Sequence, residues 1–189
     1  MVRIGILGDI GSGKSFVATK FGYPVFNADL EVSKLYRKNK RIFAKLNKIL
    51  PNYVVSFPID KNQITKAILA NNLNLKKIVN VVHKDVRKEM NSFLKHNINK
   101  KFVVLDIPLL LENKINKKKD ILIFVESKKK DIDKRIKKRA NFNQKLLNRF
   151  KKIQFKADYK KKMSQFILKN KFTEKSVKKD IKKILNKIL

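Results

Sequence analysis

Short apolar runs alternate along this chain with longer stretches of helical period. Val2 to Leu7 has the make-up of a buried strand, a glycine-rich turn follows, and a helical stretch runs from about Lys14 to Phe21. Tyr23 to Phe26 reads as a second short strand. From Leu30 to about Lys100 the pattern is mostly helical, with Val79, Val82, Val86 and Met90 on one face, and it breaks into a loop near Pro51 to Pro58. Phe102 to Ile107 and Ile121 to Val125 are two further strand-like runs. Near the end of the chain Val177, Ile181, Ile184, Leu185 and Ile188 share one helical face, with lysines opposite. That is the pattern of a helix packed on a core, with a membrane-surface helix as the other reading. Strands alternating with helices predict a parallel sheet covered on both faces.

Composition narrows the class. With 43% apolar residues over 189 positions the chain buries enough surface to fold as one domain, despite 33% charged residues. It contains no cysteine, which excludes a disulfide framework, a thiolate zinc site and a cysteine nucleophile, and its two histidines are too few for a histidine metal cluster. No signal peptide and no apolar stretch near 18 residues is present, so the expectation is a cytoplasmic protein without a membrane partner. The formal charge of +33 would suit a polyanion partner. Arginine, however, stands only at Arg3, Arg37, Arg41, Arg87, Arg135, Arg139 and Arg149, so the excess is lysine scattered beside abundant Asn and Ile. Nucleic-acid interfaces use the planar arginine fork, and this composition reads instead as background bias with no dedicated nucleic-acid partner. Runs such as Lys117 to Lys119, Lys128 to Lys130 and Lys160 to Lys162 read as solvated faces.

All five glycines fall in the first 22 residues, which locates the unusual backbone. Residues 8 to 15 read Gly8-Asp9-Ile10-Gly11-Ser12-Gly13-Lys14-Ser15, a complete G-x-x-x-x-G-K-S pattern between a strand and a helix. Glycines let the chain wrap a phosphate so that backbone N–H groups and the helix start point at it. Lys14 can reach the β and γ phosphates, Ser15 can ligate Mg²⁺, and Phe16 can offer only its backbone N–H. The alternative is a plain strand-turn-helix corner. Beyond the second strand, Asp29 in Asn27-Ala28-Asp29 is placed to accept a proton from an attacking hydroxyl or to hold metal-bound water, or else to cap the next helix.

Together with the loop segment "GILGDIGSGKS" at 5–15 and Asn27-Ala28-Asp29, the segments "VHKDVR" at 82–87 and "VVLDIPLLLE" at 103–112 resemble the dephospho-coenzyme A kinase family over essentially the whole chain. Arg135, Arg139, Gln154, Lys160 and Asn170 continue in that family's order. The resemblance implies transfer of the γ-phosphoryl group of ATP, with Mg²⁺, to the ribose 3′-hydroxyl of dephospho-CoA. It implies a P-loop kinase fold, α/β, with a central parallel sheet of about five strands and helices on both faces. The implied divisions are a core of residues 1–29 and 102–189, a helical acceptor-binding insertion at about 30–98, and a lid at about 137–150. Its partners are then ATP and dephospho-CoA, and the expected state is a monomer.

By the same resemblance Asp29 matches the general base, and Lys14 and Ser15 match the phosphate lysine and the magnesium hydroxyl. Gly8, Gly11, Ser12, Gly13 and Phe16 complete the nucleotide loop. His83, Arg87, Pro108, Leu109, Leu110 and Glu112 match the acceptor side. Arg139 matches a lid arginine that closes over ATP, and Asn170 lies near the adenine end. Asp106 either holds metal-bound water or is a solvent-facing strand end; His83 either meets substrate or is satisfied by packing. Glu112 either orients the acceptor or caps the residues after it, and Arg135 and Arg139, four apart, either face phosphate together or form a surface pair.

The chain departs from the family pattern at six positions. Asp9 replaces a glycine, Phe16 a threonine, Asn27 an aspartate, Lys84 a proline and Gln165 an aspartate, and Phe150 stands where a second lid arginine is common. Three alternatives follow: a kinase for another nucleoside or nucleotide, a nucleic-acid-binding NTPase, and a homologue without activity.

Overall fold

A computed structural model describes residues 1–139 and 142–189. In chain order the elements are β1 (Val2–Gly8), α1 (Lys14–Thr19), β2 (Val25–Asn27), α2 (Ala28–Lys38), α3 (Lys40–Ile49), α4 (Lys61–Ala70) and α5 (Asn72–His96). They continue with β3 (Phe102–Asp106), β4 (Ile121–Glu126), α6 (Lys129–Lys137), α7 (Gln144–Ile153), α8 (Ala157–Lys162), β5 (Phe166–Lys169) and α9 (Glu174–Ile188). They form two compact units, one of residues 1–27, 97–142 and 153–189, the other of residues 28–96 and 143–152. The expected lid range of 137–150 includes Ala140 and Asn141, which lie outside the described residues.

The first unit is built on a five-stranded sheet of order β2-β3-β1-β4-β5, parallel throughout. Because β1 is central, both its faces are covered, and its residues from Arg3 to Gly8 are all buried. Ile4 and Ile6 pack with Val104, Ile123 and Val125 of the neighbouring strands, with Val17, Ala18 and Phe21 around α1, and with Val177, Ile181 and Ile184 of α9. Burying side chains of this size contributes roughly 1.5–3 kcal/mol each. The C-terminal helix therefore packs on the core, as its apolar face predicts. Arg3 is the polar exception in β1: its guanidinium donates to Asp120 Oδ2 at 2.8 Å and to the Ile115 carbonyl at 3.1 Å, which pairs a charge that the sheet buries. Register brings the C-terminal ends of the strands together, Gly8 beside Val125 and Asn27 beside Asp106. In open parallel sheets this edge is where ligands bind.

In the second unit α2 to α5 and α7 enclose a separate apolar cluster. Its buried members include Tyr36, Ile42, Leu46, Val54, Ile64, Ile68, Ile78 and Val82, with Leu146 and Phe150 of α7 packed against it. On α5 the fully buried stripe is Ile78, Val82, Val86 and Met90. Val79 is half-buried at its flank, one residue off the expected stripe. Asp85, buried on the same helix, is paired with Arg41. Arg149 donates to the Leu69 carbonyl at 2.8 Å, which ties α7 to α4.

Candidate active site

The phosphate loop begins where β1 ends. Gly8 has φ +149°, and a Cβ there would meet Ser12 Oγ at 2.6 Å and the Val125 carbonyl at 2.8 Å. Gly13, at the start of α1, has φ +89° in the left-handed region, and a Cβ there would overlap the Asn170 amide and the Phe172 ring. Both positions require glycine. The loop is closed by a turn in which the Ser12 N–H donates to the Asp9 carbonyl at 3.1 Å. Lys14 folds back across it, its Nζ donating to the carbonyls of Gly8 at 3.1 Å and Asp9 at 2.9 Å. The Ser12 hydroxyl is buried and has no hydrogen-bond partner among the described residues, which leaves it available to a ligand in the loop.

Asn170 braces the loop from the end of β5. Its Nδ2 donates to the Ser12 carbonyl at 2.9 Å, its Oδ1 accepts from the Phe172 N–H at 2.8 Å, and only 3% of the residue is exposed. The Ser127 hydroxyl donates to the same Ser12 carbonyl. The Phe172 ring lies under the Arg135 guanidinium, 4.2 Å from its centroid, a cation–π contact. Arg139 follows the last turn of α6 and is exposed.

Asp106, at the end of β3, is buried and not a solvent-facing terminus. Its carboxylate accepts from Asn27 Nδ2 at 2.6 Å and is bonded to the Ser15 side chain. Burial pushes its pKa up from the ordinary carboxylate value, and the Ser15 hydroxyl, the Lys14 ammonium and the Asn27 amide oppose that shift. At position 27, where the family pattern has an aspartate, the amide donates this hydrogen bond to Asp106. Ser15 and Asp106 form a hard oxygen donor pair of the kind that suits Mg²⁺ completed by phosphate oxygens and water. Among the described residues no cluster of three or more His, Asp or Glu forms an all-protein metal cage.

The Pro108–Glu112 segment is a turn in which Leu109 adopts φ +58°. Leu110 is buried, its methyl groups lining the space next to Gly5, so it serves the core. Glu112 accepts from the Phe155 N–H at 2.8 Å, which ties it to the segment leading into α8. Gly8, Lys14, Leu109, Glu112, Gln154 and Lys160 line a small common cleft. Lys160, 3% exposed, donates to Asp9 Oδ1 at 2.8 Å and to the Gly8 carbonyl at 3.3 Å. The substituted Gln165 belongs to the sheet, its Oε1 accepting from the Leu122 N–H at 2.7 Å. Phe16 packs its ring against the core, leaving the backbone for a ligand.

Within the second unit Asp29 lies in the first turn of α2 and is exposed, so it is a helical residue and not the N-cap. His83 and Arg87 share one face of α5, with Arg87 Nε 3.4 Å from His83 Nε2. Burial, and then the Arg87 charge, lower the His83 pKa below its ordinary value.

Sequence reasoning missed Asn27, Ser127 and Phe172 as parts of the site and read Lys160 as one of a solvated lysine run, whereas it is buried against Asp9. An aspartate inside a phosphate loop was the signal for Lys160, because it calls for a nearby cation; Ser127 carried none.

The sequence model of the dephospho-CoA kinase family matches residues 2–175. A dephospho-CoA kinase of Wolbachia pipientis wMel is 35% identical, over 98% of this chain and 97% of its own length. A crystal structure from Thermus thermophilus superposes with a TM-score of 0.79 at 26% identity, covering 100% of this chain and 98% of that one. A dephospho-CoA kinase from Campylobacter jejuni shares the fold, with a TM-score of 0.63 at 20% identity over 98% of this chain and 96% of its own.

Proposed function

The chain belongs to the dephospho-CoA kinase family, and from that premise we propose that it transfers the γ-phosphoryl group of ATP to the ribose 3′-hydroxyl of dephospho-CoA, giving coenzyme A and ADP. The observation that carries the reading is the phosphate loop: a glycine cradle at the C-terminal sheet edge, Lys14 folded over it, and Ser15 bonded to buried Asp106.

In this reading the loop N–H groups, the Ser12 hydroxyl and Lys14 hold the β and γ phosphates of ATP. Ser15 and, through water, Asp106 would hold Mg²⁺, which neutralises charge on the phosphates when bound. Arg139 spreads charge on the group in flight, and the exposed Asp29 carboxylate accepts the proton as the ribose oxygen attacks phosphorus and the bond to the ADP oxygen breaks. His83, Arg87 and the turn carrying Pro108, Leu109 and Glu112 serve the acceptor side. His83 does so as a neutral imidazole at pH 7, since its pKa is lowered. Asn170, whose amide oxygen and nitrogen are both bonded within the protein, acts on the nucleotide through the loop, and Leu110 acts by packing. The protein works in the cytoplasm as a monomer with ATP and dephospho-CoA as its partners.

Purified protein supplied with Mg-ATP and dephospho-CoA should release ADP and CoA in equal amounts. Asp29→Ala should retain ATP binding and lose about 10²- to 10⁴-fold in transfer, the usual worth of a general base. Unchanged turnover in that variant removes Asp29 from the role. ADP release with a nucleoside but not with dephospho-CoA would overturn the assignment of the acceptor.

A further inference from the structure

A carboxylate in a phosphate loop repels the ligand the loop exists to bind, and Asp9 puts one there. Its backbone carbonyl accepts from Lys14, and its side chain, about half exposed, accepts from Lys160 Nζ at 2.8 Å. Lys160 is the opposite case, a lysine whose side chain is only 4% exposed. A buried ammonium persists when its hydrogen bonds and a counter-charge offset lost hydration, and here these come from the Asp9 carboxylate and the Gly8 carbonyl. Two ammonium groups, from Lys14 and Lys160, thus converge on the Gly8 carbonyl. Helix α8, which carries Lys160, is held in turn by the ion pair of Lys161 with Glu126 at the end of β4.

We propose that Lys160 is a positioning residue of the nucleotide site. It neutralises Asp9, holds the start of the loop in its anion-accepting shape through Gly8, and is energetically coupled to Asp9 in phosphate binding. The proposal rests on the reading that the loop binds a nucleotide, and it is independent of which acceptor follows. Among the charges bonded to the start of the loop, Lys14, Lys160 and Asp9, the last two offset each other. Loss of Lys160 alone exposes the phosphate to an unbalanced carboxylate, whereas loss of the carboxylate alone leaves an unbalanced cation.

The test is a double-mutant cycle read by calorimetric binding of ADP without metal or acceptor. Asp9→Asn keeps an oxygen acceptor for Lys160 and removes the negative charge, so ADP should bind about three- to tenfold tighter, and more so at low salt. Lys160→Gln should weaken binding about tenfold or more, and the double variant should return to within about threefold of the parent. A double variant as weak as Lys160→Gln would overturn the coupling, as would an Asp9→Asn variant that binds ADP no tighter than the parent. Asp9→Asn retains the buried lysine and decides the matter even where Lys160→Gln fails to fold. Failure of the acceptor assignment would appear separately, as ADP binding that follows this pattern without CoA formation. A parent that binds no ADP would overturn both.

Discussion

At the residue scale, position along the sheet decides what each charge is for. Arg3 and Asp120 are both nearly inaccessible and bonded to each other at 2.8 Å, far in sequence and adjacent only because β1 and β4 pair. Asp120 has its pKa raised by burial, against the opposing effects of the Lys117 N–H and charge and of Arg3. The sign follows from linkage: a carboxyl whose folded pKa is raised binds its proton more readily in the folded state. Its contribution to stability is therefore complete below the ordinary value of 3.8 and is lost as pH rises through the folded pKa. Arg3 limits that loss. Arg3→Met should destabilise the protein by about 3–5 kcal/mol near pH 7, where it leaves a buried carboxylate unpaired. The difference from the parent should shrink as pH falls through the folded pKa of Asp120 towards 3.8. Paired denaturant titrations at several pH values check this; a pH-independent difference would mean that Arg3 acts by packing alone.

At the element scale, what the sequence disclosed depended on whether a residue's task was local. The strands β1, β3 and β4 are legible because buried parallel strands read as continuous apolar runs. The phosphate loop is legible because its glycines answer a local backbone demand. The edge strand β5 escapes location: its apolar run is only Phe166 to Leu168, Ile167 is half exposed and Lys169 is exposed. The same holds for α7, whose Leu146 and Phe150 pack into the helical unit. That contact accounts for an aromatic residue where the family commonly has an arginine. The brace from Asn170 to Ser12 was equally illegible, since it joins groups 158 residues apart. Its consequence is testable. Asn170→Ala removes the amide from the Ser12 carbonyl and frees the space beside Gly13, so the KM for ATP should rise about tenfold, the equivalent of about 1.4 kcal/mol, with the KM for dephospho-CoA unchanged. An equal rise in both would show that the brace supports the fold at large and not the loop in particular.

At the scale of the whole molecule, the +33 charge and the site stand in different relations to a ligand. The cations around the loop are few and held in place by the protein: Lys14 by two carbonyls, Lys160 by Asp9, Arg135 over Phe172. The remaining lysines are spread over exposed surface, where each acts through a field that salt screens within about 8–10 Å at physiological ionic strength. Such a field speeds the encounter with any anion and stabilises no transition state, so it belongs in kcat/KM and not in kcat. Raising salt from about 20 mM to about 500 mM should lower kcat/KM for both phosphorylated substrates severalfold while leaving kcat nearly constant. Single-stranded RNA, attracted by the same field, should compete weakly at low salt and be released as salt rises. Steady-state kinetics with an RNA titration separates this from the rival in which the basic surface is an effector site. In that case RNA would raise the rate of ATP hydrolysis without acceptor, and the lysine excess would have a function of its own.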